Sequence, residues 1–266
     1  MRTLSFFLLL LWVLPIRAQQ VHSAPDMAAP LSEKWDWAES QESRSGSYWI
    51  VHSIRKEMCA TCQMGTLFTG EDLEGRTIEE TLTGIDTRDR SVQNAVRDAL
   101  DHIDGDPKRQ VMKEVALIFG FRNGTLESAN LNNMSLSFDF KNRSVYWLGN
   151  SELNQSGSRV IDLYDEATTD KVRKNLIWMS GSHPSTPGAL AFLESILFVS
   201  ANAELRKSAA YSIGGLDDAG SVRALKKAIE SDKELEVRKA AVYGLGGSDL
   251  QAARDALFAI IEKSGS

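Results

Sequence analysis

The chain has 266 residues and carries 30 Lys and Arg against 36 Asp and Glu, a formal net charge of −6. Nucleic acids and anionic membrane surfaces are bound mainly through clusters of Lys and Arg, so an acidic chain is poorly suited to either. The apolar and charged fractions, 42% and 25%, are ordinary for a folded protein and leave room for one large domain or two small ones.

The amino-terminal segment has the pattern of a signal peptide. Arg2 precedes the apolar run Leu4–Leu14, and Ala18 supplies a small residue at the expected cleavage site. The run is about half of the roughly 20 residues that a membrane-spanning helix needs, so an uncleaved anchor is the weaker alternative. We therefore expect residues 1–18 to be a signal peptide and the protein to be exported, to the periplasm or the extracellular space. The mature chain, with a net charge of −8, is expected not to insert in a membrane.

Residues 19–46 are rich in Gln, Ser, Ala, Glu and Pro and show no apolar periodicity. Such a composition buries too little surface to offset the entropy of ordering, which predicts a disordered linker. Trp35 and Trp37 interrupt it. We expect these two rings to pack on the following domain rather than to bind a ligand.

Residues 47–139 are predicted to form a small α+β domain. Three runs have the β-branched and aromatic content of strands: Tyr48–Ile54, Glu114–Phe121 and Leu126–Leu131. The Asn123-Gly124 pair between the last two predicts a hairpin turn. Leu136–Phe140 favours a further strand, and apolar residues at helical spacing between Val92 and Ile103 predict one helix. A helix over Val111–Gly120 stays open as an alternative, since its apolar spacing imitates that of the helices further along.

The carboxyl-terminal half contains an internal repeat. Four segments superimpose with a glycine in each, at spacings of 32, 33 and 32 residues: Gly149, Gly181, Gly214 and Gly246. Apolar residues nine, five and four positions before the glycine predict the first helix of a hairpin, which the glycine ends by adopting a left-handed backbone. The first unit departs from this pattern at Arg143 and Ser144, as expected of a repeat that caps the stack or joins another domain. An apolar pair eleven and fifteen residues after each glycine predicts the second helix. A repeat of this period indicates a solenoid.

The segment Val237–Gly246 resembles the first helix of HEAT repeats, especially the short type found in phycobilisome-lyase-like proteins. The whole arrangement resembles exported bacterial HEAT-repeat proteins. The resemblance implies that residues 140–266 form an all-α superhelical solenoid of about four HEAT-like helical hairpins. It also implies that an arginine column ties neighbouring repeats together through acidic loops. The arginines are Arg173, Arg206 and Arg238, and the implied acidic partners are Asp217, Asp218 and Asp249.

Cys59 and Cys62 are the only cysteines. In an oxidising compartment so close a pair most simply forms a structural disulfide. A thioredoxin-like pair needs a helix whose amino terminus lowers the pKa of the first thiol, and Gly65 and Thr66 do not favour one. An envelope thiol-disulfide redox or maturation factor remains the alternative function.

No metal site, cofactor or catalytic site is predicted. A structural zinc site needs four ligands, and the histidines are scattered: His22, His52, His102 and His183. The sequence has no Gly-x-Ser-x-Gly elbow and no phosphate-binding glycine loop. His183 is therefore interpreted as a structural loop residue.

Three basic residues are predicted to bind a partner. Arg223, Lys226 and Lys227 avoid the apolar positions of a second helix and so face solvent. Second helices normally line the concave side of a solenoid, which would make these residues contacts for an acidic surface. We predict a non-catalytic extracytoplasmic scaffold that binds an unidentified protein.

Overall fold

The computed structural model describes residues 20–41, 46–60, 62, 64–65, 76–85, 109–184, 186–216, 218–248 and 250–264. The predicted signal peptide, the predicted helix between Val92 and Ile103, and Asp217 and Asp249 lie outside the described residues.

The described strands form one mixed sheet. They are β1 (Val21–Ser23), β2 (Ser47–Cys59), β3 (Gln110–Arg122), β4 (Thr125–Asn133) and β5 (Ser144–Asn150), in the order β1-β5-β2-β3-β4. β5 pairs in parallel with β1 and β2, whereas β2–β3 and β3–β4 are antiparallel. The predicted hairpin is confirmed, because Asn123 and Gly124 have φ of 51° and 73° between β3 and β4. The helical alternative for Val111–Gly120 is wrong, and Leu136–Phe140 contributes only a single bridge at Ser137.

Two described helices belong to the sheet region, α1 (Leu31–Gln41) and α2 (Ile78–Thr83). Seven more follow the sheet within the described residues. They are α3 (Leu153–Glu166), α4 (Asp170–Gly181), α5 (Ala189–Val199), α6 (Ala203–Gly214), α7 (Ala219–Ser231), α8 (Leu235–Gly246) and α9 (Gln251–Ser264). The first helices α4, α6 and α8 pack side by side, and each packs on the helix that follows it. The predicted fold class is therefore confirmed: an α+β region followed by a helical solenoid.

The prediction of a disordered linker is wrong for residues 20–41. Val21–Ser23 adds a strand beside β5, and α1 inserts Trp35, whose side chain is fully buried against Phe119 and Phe121. Arg159 of α3 lies 4.6 Å from the centroid of the same ring. Burial of one large aromatic ring contributes enough apolar area to order an otherwise polar segment. The expectation that Trp35 packs on the adjoining domain is confirmed.

The prediction of a first repeat helix that ends at Gly149 is also wrong. This segment forms the strand β5. Gly149 does have a positive φ, 73°, but it lies where the pairing of β2 with β5 shifts register between Val51 and Ser53. A left-handed glycine serves a strand bulge as well as a helix end. The solenoid accordingly begins at Leu153 and has one single helix, α3, followed by three hairpins.

The sheet and the start of the solenoid share a core. One face of the sheet packs against α1, α3 and α4, and its buried side chains include Ile50, Phe119 and Leu148 together with Val160 and Leu176. The opposite face carries a second cluster that contains Trp49 and Ile118, covered by Ile78 and Leu82 of α2. A third cluster runs along the hairpins from Ile177 to Ala256. The solenoid is thus built directly onto the sheet.

Candidate functional site

The basic residues predicted to bind a partner lie on one exposed side of α7. Asp218 caps this helix by accepting a hydrogen bond from the backbone N–H of Ser221 at 2.9 Å. Val222, Leu225 and Ala228 face the core, which turns Arg223, Lys226 and Lys227 to solvent. Among the described residues, these three cations form no ion pair.

Exposed apolar side chains lie beside these cations. The Lys227 ammonium is 4.2 Å from the ring centroid of Phe198, at the end of α5, and the neighbouring Val199 is 80% exposed. A cation over an aromatic face is attracted by the ring quadrupole, which holds Lys227 close to the apolar side chains. We call the surface formed by Phe198, Val199, Arg223, Lys226 and Lys227 the basic face.

One buried ion pair fixes the hairpins that carry the basic face. Arg206 of α6 donates from Nε and Nη2 to the two carboxylate oxygens of Asp232, at 2.8 and 3.1 Å. Its Nη1 donates to the carbonyls of Ser200 and Ala201. Asp232 lies in the loop before α8, so this contact joins two successive hairpins, as the arginine column implied. Of the implied acidic partners, Asp218 is not the residue bound, because it caps α7 instead. Asp217 and Asp249 lie outside the described residues.

The repeat glycines allow close stacking rather than helix termination. Gly181, Gly214 and Gly246 are not among the glycines with positive φ, so the expected left-handed ending is wrong. A Cβ on Gly181 would lie 2.8 Å from Ser212 of the next first helix, and a Cβ on Gly214 would lie 2.6 Å from the Gly244 Cα. Only a residue without a side chain permits this approach between neighbouring first helices.

The two cysteines form a disulfide, Cys59–Cys62. Cys59 is the last residue of β2, and the backbone N–H of Cys62 donates to its carbonyl at 3.0 Å, which closes a turn. The Lys113 ammonium donates to the carbonyls of Ala60 and Cys62, at 2.6 and 2.7 Å. Where described, the following residues are not helical but bridge to β4 at Gly65. The described part thus lacks the helix terminus that activates the first thiol in thioredoxin-like proteins.

A buried polar cluster joins the sheet to the solenoid, and no sequence pattern predicted it. Ser156 Oγ lies 2.8 Å from Nε2 of His52 and 3.0 Å from Nε2 of His183. His52 comes from β2, Ser156 from α3, and His183 from the loop after α4. All three side chains are fully buried. The one available signal was a histidine inside the apolar run Tyr48–Ile54, where a buried partner is required.

The hydrogen bonds define the protonation state of this cluster. Nδ1 of His183 lies 2.7 Å from the carbonyl oxygen of Met179 and must donate to it. Its Nε2 then accepts the Ser156 hydroxyl proton, and Ser156 Oγ accepts the Nε2 proton of His52. Nδ1 of His52 is left as a buried lone pair with no partner. Both imidazoles are therefore neutral.

Burial keeps the side chains of both histidines neutral at pH values well below neutrality. Burial lowers the pKa of His52 to about 3, with smaller contributions from His183, Lys34 and Arg159. Burial also lowers the pKa of His183 to about 4, against the hydrogen bond to Met179 and with Lys56 adding to the depression. Because the cluster is closed to solvent, it cannot meet a substrate in this conformation, and its contacts are those of a structural junction.

The described residues contain neither a cluster of metal ligands nor a helix suited to span a membrane. No group of three or more His, Cys, Asp or Glu side chains there is close enough to hold a metal ion. In the same residues, no helix is both long and apolar enough to span a membrane.

The helices from Leu153 onward define the class of protein to which this segment belongs, an α-solenoid of stacked hairpins. A family model described as HEAT repeats matches residues 157–246 and 190–265, and this supports a HEAT-repeat protein. The overlapping matches cover the three hairpins and most of α3, and they stop short of the sheet. A comparison with curated proteins finds no match to the chain. HEAT repeats suggest a scaffold that binds other proteins.

Proposed function

We propose that the protein is an exported, non-catalytic scaffold that binds an acidic surface of a partner protein through the basic face. The observation that carries this proposal is a set of three cations, Arg223, Lys226 and Lys227, that form no ion pair within the described residues and lie beside exposed Phe198 and Val199. The chain as a whole is acidic, so such a cluster is locally opposite to the net charge. Exposed cations add little to stability but can steer and orient an oppositely charged partner.

The rigidity of the hairpins supports this assignment. The Arg206–Asp232 pair and the close approach of Gly181 and Gly214 to the next helices fix α5 and α7 relative to each other. A fixed spacing between Phe198 and Lys227 lowers the entropy lost when a partner binds. An apolar centre beside cations fits a partner whose acidic side chains flank an apolar residue.

Charge reversal on the basic face tests the proposal. The triple variant Arg223→Glu, Lys226→Glu and Lys227→Glu is expected to weaken partner capture by at least about tenfold at low salt, and by less as salt rises. Capture is measured by crosslinking in cells through a photoreactive residue introduced at Ala252, followed by identification and titration of the attached protein. Ala252 is exposed on α9 and lies outside the reversed positions.

A matched control has the same change of charge elsewhere. Lys141→Glu, Lys171→Glu and Lys233→Glu reverse three exposed cations outside the basic face. If this control weakens capture as much as the triple variant, only net charge matters and the basic face is not the binding surface.

Replacement of the two cysteines distinguishes the scaffold function from a redox function. Cys59→Ser with Cys62→Ser is expected to leave partner capture unchanged and to lower the free energy of unfolding by about 2 kcal/mol, since the closed loop is short. Urea unfolding gives the stability change, and the capture titration gives the binding. The thiol-disulfide redox function is favoured if a folded double variant no longer supports the activity of the partner protein and the charge-reversed triple variant still supports it.

A further inference from the structure

A cleft lies on the surface where the sheet region meets the solenoid. The start of α1, the exposed side of α3 and the loop before α5 line it, and it has a volume of about 350 Å³. This volume is at the lower end of the range of small-molecule sites. We call it the junction cleft, and the lining residues that matter for its chemistry are Pro30, Leu31, Gln155, Arg159, Asp162 and Pro187.

Contacts between its walls fix the shape of the junction cleft. The backbone N–H of Leu31 donates a hydrogen bond to Oε1 of Gln155 at 2.9 Å, which joins α1 to α3. The side chain of Leu31 is buried in the core that the sheet and the solenoid share. A Cβ on Gly157 would overlap the side chain of Thr186, so α3 and the loop before α5 are also in direct contact. Because the three segments are fixed relative to one another, binding in the cleft costs less conformational entropy.

Two opposite charges line the junction cleft without pairing with each other. Arg159 and Asp162 are three positions apart on α3, so their side chains are neighbours about one helical turn apart. The guanidinium carbon of Arg159 lies 4.6 Å from the ring centroid of Trp35, and this attraction holds the guanidinium on the indole. Within the described residues, neither charge forms an ion pair. Glu166 also interacts with Arg159, but it lies beyond ion-pair distance and does not line the cleft.

We propose that the junction cleft binds a free α-amino acid. The ligand carboxylate accepts hydrogen bonds from the guanidinium of Arg159, whose planar fork matches a carboxylate, and the ligand ammonium donates to the carboxylate of Asp162. An α-amino acid carries its two charges on neighbouring atoms of one carbon, which fits two side chains one helical turn apart. The charged ends of a peptide are further apart. Pro30 and Pro187 offer apolar contacts to the ligand side chain. The cleft does not include the basic face, so this binding is independent of partner binding.

Calorimetric titration of the full chain with each of the common L-amino acids tests the proposal. At least one of them should bind at one site per chain with a Kd below about 1 mM. The amide of that amino acid lacks the carboxylate, and its N-acetyl form lacks the ammonium group. Each of these two analogues should therefore bind at least about tenfold more weakly than the amino acid itself.

Two substitutions assign the binding to the charges of the junction cleft. Arg159→Lys keeps a cation beside Trp35 but removes the planar fork, and Asp162→Asn keeps the shape of the side chain but removes its charge. Each should weaken binding of the amino acid by at least about tenfold. Because the side chain of Asp162 is exposed, Asp162→Asn should keep the circular dichroism spectrum of the unmodified chain.

Asp165→Asn is the matched control. Asp165 is an exposed carboxylate of the same helix that does not line the junction cleft, so its loss of charge should leave binding unchanged. The proposal is overturned if no amino acid binds with a Kd below about 1 mM. Equal binding of the amino acid and its amide, or equal weakening by Asp162→Asn and Asp165→Asn, overturns it as well, since binding would then not depend on the charges of the cleft.

Discussion

Lowering the pH from about 7 to about 5 is expected to reduce the free energy of unfolding by roughly 3 to 4 kcal/mol through His52 and His183 alone. In the folded protein, burial holds the pKa of these imidazoles at about 3 and about 4. In the unfolded chain, both return to the ordinary histidine value of about 6.5. Between these values the unfolded state binds more protons than the folded state, so stability falls as the pH falls. The contribution is fully present above about pH 6.5, and below about pH 4 only His52 still adds to the loss.

The geometry gives the physical reason for this loss. Protonation of His183 converts Nε2 from an acceptor to a donor, so the Ser156 hydroxyl loses its acceptor. Protonation of His52 places a charge between Trp35 and Phe119 in the shared core, with Lys34 and Arg159 adding repulsion. Because the cluster links β2, α3 and the loop after α4, acid is expected to separate the sheet from the solenoid first.

Urea unfolding at a series of pH values, followed by tryptophan fluorescence, measures this dependence. His52→Gln or His183→Gln should remove about half of the slope between pH 6.5 and 5, since each removes one depressed pKa. His22→Gln is the control, because His22 is exposed and stacks on Tyr146 at 5.2 Å from centroid to centroid. A stability that does not change with pH in this range, or a slope that His22→Gln removes, contradicts the assignment.

The sequence predicted the features that are determined by near neighbours in the chain. The glycine period and the apolar spacing within each unit identified the hairpins from α4 to α9. The Asn123-Gly124 turn identified the β3–β4 hairpin, because a two-residue turn with positive φ at both positions joins antiparallel strands. In each case the decisive residues lie within a few positions of the element that they specify.

The predictions that proved wrong concern contacts between residues that are far apart in the sequence. Ser144–Asn150 has the aromatic and apolar spacing of the repeat, and its strand conformation depends on parallel pairing with β1 and β2. Trp35 orders its segment only because Phe119 and Phe121 surround it. Parallel pairing and long-range packing leave no local periodicity, so one sequence does not reveal them.

Residues of the candidate sites could likewise be predicted where local spacing determines them, but not where distant segments meet. Exposure of Arg223, Lys226 and Lys227 followed from helical spacing alone. The partner of Arg206 did not, because the carboxylate that it binds comes from a loop one hairpin later. The cluster of His52, Ser156 and His183 brings three separate segments together, and only the folded chain shows that contact.

Arg206→Ala is expected to lower the free energy of unfolding by about 3 kcal/mol, at the lower end of the range for breaking a buried ion pair. The side chains of Arg206 and Asp232 are each 7% exposed, so the substitution leaves a buried carboxylate without its counter-ion. It also removes the hydrogen bonds to Ser200 and Ala201. The guanidinium holds the pKa of Asp232 below its usual range, which shows that the pair favours the charged carboxylate. Urea unfolding at neutral pH measures the loss.

A double-mutant cycle separates the ion pair from the carbonyl contacts. Asp232→Ala alone and the double variant, compared with Arg206→Ala, give the coupling between the two side chains, which should be at least about 1 kcal/mol for a buried pair with two hydrogen bonds. Lys239→Ala is the control, since the Lys239–Glu236 pair is solvent-exposed and its loss should have no resolvable effect. If Arg206→Ala lowers the free energy of unfolding by no more than Lys239→Ala does, the arginine column does not hold the hairpins together. The close packing at Gly181 and Gly214 alone must then fix the spacing of the hairpins.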